Sequence, residues 1–236
     1  MWLKDSSIGR KVVMSVTGLA LVLFLTFHMA MNLAALFSPS AYNAICEFLG
    51  ANWYALVATA GLAFLFIVHI IYAFWLTVQN RKARGNERYA VVERRETVTW
   101  ASQNMLVLGI IVILGLGLHL FNFWYNMQLQ EIMGNESVML GGQSISTHNG
   151  AAFIAYTFAQ PVYVVLYIVW LVALWFHLTH GFWSSLQSLG LSNKLWITRW
   201  KTVSNIYSTI IILGFVAVVI GYTFFQSYYN EVIGKL

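Results

Sequence analysis

The chain has 236 residues, of which 59% are hydrophobic and 9% charged, too little polar surface for a water-soluble globule of this length. Its net charge of +5 sits in short clusters, whose placement accounts for it without a nucleic-acid partner. The single cysteine, Cys46, excludes an intramolecular disulfide framework.

Between the charge clusters lie long uncharged stretches, and transmembrane helices are expected at 12–37, 53–78, 103–127, 155–185 and 204–228. A bilayer core of about 30 Å takes about 20 helical residues. The stretches are continuously apolar and do not alternate with polar residues, which excludes a β-barrel. No linker or low-complexity tract divides the chain, so the expected fold is all-α, one integral membrane bundle over 1–236. The first apolar run follows basic residues as a secretory signal does. It is longer than an h-region and has no small-residue cleavage site before Ser38, so it reads as a retained span.

Lys and Arg near span ends are held on the cytoplasmic side. Lys4, Arg10 and Lys11 precede the first span, and Arg81, Lys82, Arg84, Arg88, Arg94 and Arg95 lie between the second and third. Lys194, Arg199 and Lys201 lie between the fourth and fifth, leaving Lys235 as the exception. The outer loops, 38–52 and 126–150, carry Glu47, Glu131 and Glu136 with no Lys or Arg. The N-terminus is therefore expected in the cytoplasm and the C-terminus outside. The inner loop 79–97 is dense in both signs of charge and is a candidate docking surface for cytoplasmic subunits. Residues 139–150 read as an exposed polar loop.

The informative residues are histidines, because ionisable side chains inside a bilayer are costly and mark cofactors or transport paths. His28, about 24 Å from the cytoplasmic edge of the first span, matches the depth of His119 in the third. His69 and His177, in the second and fourth spans, match each other at about 12 Å. Two imidazoles opposed at one depth suit a six-coordinate haem in an apolar bundle, so two level pairs predict two stacked haems. Gly115, one turn before His119, and Gly181, one turn after His177, would leave bare helix faces where flat rings lie. His180 lies one turn from His177 and is the rival ligand or a propionate contact; depth favours His177. His148 falls in an outer loop, where a solvated role is the default.

The segment GLALVLFLTFHMAMN in the first span, the buried His69 and His119, and HLTHGFWSSLQSLG at the end of the fourth resemble one family. It is the five-helix, dihaem cytochrome b subunit of succinate:quinone oxidoreductases, which include succinate dehydrogenases and fumarate reductases. The resemblance runs along nearly the whole chain. It implies b haems ligated by His28 with His119 (distal, outer) and by His69 with His177 (proximal, inner), giving His177 rather than His180 the ligand role. It further implies a bacterial cytoplasmic-membrane location, a flavoprotein and an iron–sulfur subunit on the cytoplasmic side, a complex able to dimerise, and no dicarboxylate site on this chain. A quinone, usually menaquinone where two haems are present, reacts near the distal haem in the family. Glu47 in the first outer loop is the candidate for exchanging its protons. Some fumarate reductases of the family carry a proton-conducting glutamate two residues before the fourth-span ligand; Trp175 stands there in this chain.

Two other functions compete. A transporter relaying protons through its histidines should show inverted repeats or paired Gly/Pro-broken helices, which the sequence lacks. A cytochrome b of a hydrogenase, nitrate reductase or formate dehydrogenase is the nearer alternative. One histidine pairing partner on each of four spans favours the succinate/fumarate group.

Overall fold

Uncharged runs of Leu, Ile, Val and Phe must hydrogen-bond their own backbone in an apolar solvent, and helices are what form. A computed structural model of the chain describes residues 6–50, 52–84 and 99–233. Five of its helices are long and apolar enough to cross a membrane: α1 (Ser7–Phe37), α3 (Trp53–Arg84), α5 (Met105–His119, continued by a π-helical segment, Leu120–Trp124), α8 (Pro161–Ser188) and α9 (Trp196–Phe224). The charged loop expected to dock partners falls mainly on residues 85–98. It lies outside the described residues, as do Lys4, Arg88, Arg94, Arg95 and Lys235.

Several ends differ from the sequence expectation for local reasons. Ser6 Oγ accepts the Gly9 N–H at 2.8 Å, so α1 begins ahead of its basic residues rather than after them. Asn193 Oδ1 accepts the Trp196 N–H at 2.9 Å and starts α9 eight residues earlier than the apolar run. A short helix, α4 (Trp100–Gln103), capped by Thr99 Oγ1, precedes α5.

The segments 38–52 and 126–150 hold more structure than their composition suggests. After α1 comes α2 (Pro39–Phe48), and after the π segment α6 (Gln128–Ile132). Strands β1 (Ser137–Leu140) and β2 (Gln143–Ser146) form an antiparallel hairpin within what reads as a plain loop. Its two turn residues, Gly141 and Gly142, have φ of 57° and 82°, the left-handed pair that a two-residue hairpin turn requires. The apolar run expected as a single span at 155–185 divides into α7 (Gly150–Phe158) and α8, because Pro161 disfavours helix in the residue before it. A last helix, α10, spans Gln226–Ile233.

The chain divides into two compact units, and each long helix contributes residues to both. One unit gathers Met1–Phe24, Gly61–Ile110 and Leu174–Thr209. Within it the buried Ser204 hydroxyl donates to Thr179 O at 2.8 Å, joining α9 to α8.

The other unit gathers Leu25–Ala60, Ile111–Ala173 and Ile210–Leu236. Here a Cβ on Gly214 would come within 2.5 Å of Met29 Sδ, and one on Gly221 within 2.5 Å of Leu36 Cδ2. Small residues one heptad apart thus admit two large ones from α1, the close packing that joins helices in lipid. Tyr222 and Tyr229 stack at 4.0 Å and donate to Ala35 O and Leu36 O at 3.1 and 3.0 Å. These are carbonyls of the last turn of α1, which the helix itself cannot satisfy.

Along α3, Val57, Phe64, Ile67, Ile71, Phe74 and Val78 are all exposed. Their spacing of three, four and seven traces one helix face, an apolar stripe suited to lipid and not to water.

Candidate functional site

Each unit holds one histidine pair. In the unit containing Gly61–Ile110, His69 of α3 and His177 of α8 have ring centroids 6.4 Å apart with planes at 66°. In the unit containing Ile111–Ala173, His28 of α1 and His119 of α5 stand 5.7 Å apart at 84°. The four histidines selected by depth are therefore brought together in the two expected combinations. His180 instead packs edge-on against Trp183, at 5.1 Å, and Lys201 lies over the same indole.

The surroundings of His69 decide where its proton sits. Thr17 Oγ1 is 2.9 Å from Val13 O and 3.1 Å from Met14 O, so its one proton goes to the backbone of α1. Its oxygen, 3.2 Å from His69 Nδ1, can then only accept. With the Thr17 proton on the α1 backbone, His69 would hold its own proton on Nδ1 and leave the Nε2 lone pair free, the tautomer used by an imidazole that ligates a metal while donating to an outer partner. Gly18 makes the approach possible, because a Cβ there would lie 3.2 Å from His69 Cε1. Opposite it, His177 Nδ1 is buried with no hydrogen-bond partner, an arrangement that is costly for a ring nitrogen serving only as packing.

The other pair is enclosed by aromatic side chains. Phe123 and Trp170 lie 5.1 and 5.8 Å from the His119 ring, and Phe215 lies 5.8 Å from that of His28. Asn32, one turn beyond His28, donates to His28 O at 2.8 Å and accepts from Tyr42 Oη at 3.0 Å. Its amide reaches His28 Nε2 at 3.5 Å, the long limit of a hydrogen bond. The face of Gly115 is not bare as the sequence suggested. The Trp170 indole occupies the place its side chain would take and donates to Val112 O at 3.1 Å. Gly181, in contrast, faces open space.

The spacing tests whether a metal centre fits. With metal–nitrogen bonds of about 2 Å, two imidazoles on opposite sides of one ion have centroids about 6 Å apart. The two pairs, at 5.7 and 6.4 Å, stand close to that separation. Among the described residues no three His, Cys, Asp or Glu side chains converge, and the histidines stand in two separate pairs.

Glu47 is exposed on α2. The buried carboxylate in this part of the chain is Glu131 of α6, whose side chain is 6% exposed and lies 3.4 Å from His148 Nδ1. Glu131 also fills the space a side chain on Gly50 would need. Nearby, burial pushes the Cys46 thiol up to about 11, against hydrogen bonds from Tyr42 and the Gly150 backbone that pull it down. Trp175 donates to Thr209 Oγ1 at 2.9 Å.

Sequence reasoning missed Thr17, Trp170 and Glu131. Thr17 is one of several hydroxyls in the first span, and its partner is 52 residues away. Compared with known proteins, the chain matches no family model, no curated protein and no solved structure.

Proposed function

We propose that this chain is the dihaem cytochrome b subunit of a succinate dehydrogenase or fumarate reductase. It anchors the enzyme to a bacterial cytoplasmic membrane and passes electrons between the iron–sulfur subunit and a membrane quinone, menaquinone by preference. The observation that carries the reading is the pairing of His28 with His119 and His69 with His177 at separations of 5.7 and 6.4 Å, each suited to one axially held iron. The succinate/fumarate assignment rests on the resemblance of the motifs around His28 and His177.

Haem bound at such pairs supplies reversible one-electron chemistry. The chain's own residues do the rest. Thr17 holds His69 as the Nδ1–H tautomer and aims its Nε2 lone pair, and Asn32 and Tyr42 form a polar collar on the α1 side of His28. Phe123, Trp170 and Phe215 exclude water around His28 and His119, keeping the local dielectric low. Dicarboxylate chemistry belongs to the flavoprotein partner. The N-terminus faces the cytoplasm, where both partner subunits dock.

A pyridine haemochrome assay on the purified complex should give two b haems per chain, and the co-purifying flavoprotein should interconvert succinate and fumarate. One haem per chain would refute the dihaem reading. Two haems with a hydrogenase, nitrate reductase or formate dehydrogenase as partner would reassign the complex.

A further inference from the structure

The Asn32 side chain is held from two sides. Its Nδ2 donates to His28 O at 2.8 Å, and its Oδ1 accepts from Tyr42 Oη at 3.0 Å. A backbone carbonyl can only accept, so one orientation of the amide satisfies both contacts. In that orientation the second N–H of Nδ2 turns to the His28 ring, with Nδ2 3.5 Å from Nε2. The positive end of the amide dipole therefore faces the imidazole.

Tyr42 is fixed in turn by residues far from His28. The Cys46 thiol, one turn along α2, is hydrogen-bonded to it. The start of α7 closes over the same ring, since a Cβ on Gly150 would come within 2.9 Å of Tyr42 Cε1. Asn43 ties the two helices together by accepting from the Ala151 N–H at 3.0 Å and donating to Asn149 Oδ1 at 2.9 Å. Burial, with Cys46 beside it, holds the Tyr42 hydroxyl well above its ordinary value. It therefore keeps its proton at neutral pH and remains a donor to Asn32.

The outer partner of His69 has the opposite polarity. Thr17 Oγ1, 3.2 Å from His69 Nδ1, presents a lone pair to that ring. An acceptor there makes the imidazole a stronger electron donor and stabilises added positive charge at a bound metal. A donor facing the His28 ring disfavours that charge. Outer hydrogen bonds are among the levers by which a protein sets a redox potential.

We infer that Tyr42 is a positioning residue of the His28–His119 centre. Through Asn32 it holds an amide N–H against His28 and raises the reduction potential of the group bound there, while Thr17 lowers that of the group at His69 and His177. That a redox group is bound at each pair rests on the function proposed above; the contacts are those of the chain itself.

The test is a redox titration of the visible spectrum of the purified complex, resolved into two haem components. The component missing from His119→Ala belongs to the His28–His119 pair. Tyr42→Phe keeps the ring and loses the hydroxyl. At a fixed potential it should lower the reduced-to-oxidised ratio of that component about threefold, the net effect of one neutral hydrogen bond, with both haems retained and the other component unmoved. Asn32→Leu should shift the same component further in the same direction. In Thr17→Val, the haem still held at the other pair should move the opposite way. An unmoved component in both Tyr42→Phe and Asn32→Leu, a shift towards the reduced form, or loss of haem in place of a shift would overturn the role of Tyr42. A complex without haem would refute the proposed function and this role with it, whereas two haems with unmoved potentials would refute this role alone.

Discussion

Thr17 Oγ1 lies 3.2 Å from His69 Nδ1, and because its proton is already given to Val13 O and Met14 O, it can only accept from the imidazole. A hydroxyl of α1 thereby supports the Nδ1–H tautomer of a histidine on α3. Outer hydrogen bonds of this kind typically change ligand-site affinity by about 10–100-fold. Thr17→Val should make one of two haems easily lost on gel filtration and shift only its absorption band. Thr17→Ser should retain it. Equal haem retention in both variants would remove Thr17 from the site.

The pairing of His177, and not His180, with His69 gives a second prediction. His177→Ala should abolish one haem and leave the other, whereas His180→Ala should retain both. Low-temperature difference spectra distinguish the two. Reversed outcomes would place the ligand one turn further along α8.

At Gly115, any side chain meets the Trp170 indole. Overfilling a packed site costs about 1–3 kcal/mol, and here the ring displaced also packs at 5.8 Å on His119. Gly115→Val should lower thermal stability and perturb the His28–His119 centre while sparing the other. Pairing the substitution with Trp170→Ala should restore much of the lost stability. Gly181→Ala, facing open space, should be neutral.

For Cys46, burial raises the thiol from an ordinary value near 9 to about 11. A folded-state value above the unfolded one favours folding fully below pH 9, and that contribution is lost as pH rises through 11. Maleimide labelling of the folded chain should stay slow at pH 7–9 and accelerate towards pH 11, while the denatured chain labels at once. Rapid labelling at neutral pH would show the thiol to be accessible and ionised.

Trp175, hydrogen-bonded to Thr209, has no proton to relay at neutral pH. If dicarboxylate chemistry is inside and quinone chemistry beside His28 and His119, electrons cross part of the membrane dielectric uncompensated. A full crossing is worth about 2.3 kcal/mol per 100 mV. Fumarate reduction by a menaquinol analogue in proteoliposomes should then give an uncoupler-sensitive signal from a voltage-sensitive dye. Rapid turnover with no dye response would require another proton path.

The membrane-crossing helices were legible because absence of charge over long stretches is a one-dimensional signal. The histidine combinations were legible because helical rise turns sequence position into depth, and Asn32 stands one turn from His28 on the same helix. The contacts that refine the site were not. Thr17 meets His69 across 52 residues, and the occupant of the Gly115 face is an indole on another helix. The burial of Glu131 depends on Gly50 and His148, from two other loops, so its local sequence resembles that of the exposed Glu47.

The stacked Tyr222 and Tyr229 complete the end of α1 from 187 and 193 residues downstream. At synthesis rates of about 5–20 residues per second, α1 enters the membrane about 10–40 s before those hydroxyls exist. During that interval the carbonyls of Ala35 and Leu36 must find other partners at the membrane surface. The first helix to be made is thus among the last to be finished, and a ribosome that stalls before Tyr222 would leave it as a ready substrate for membrane quality-control proteases.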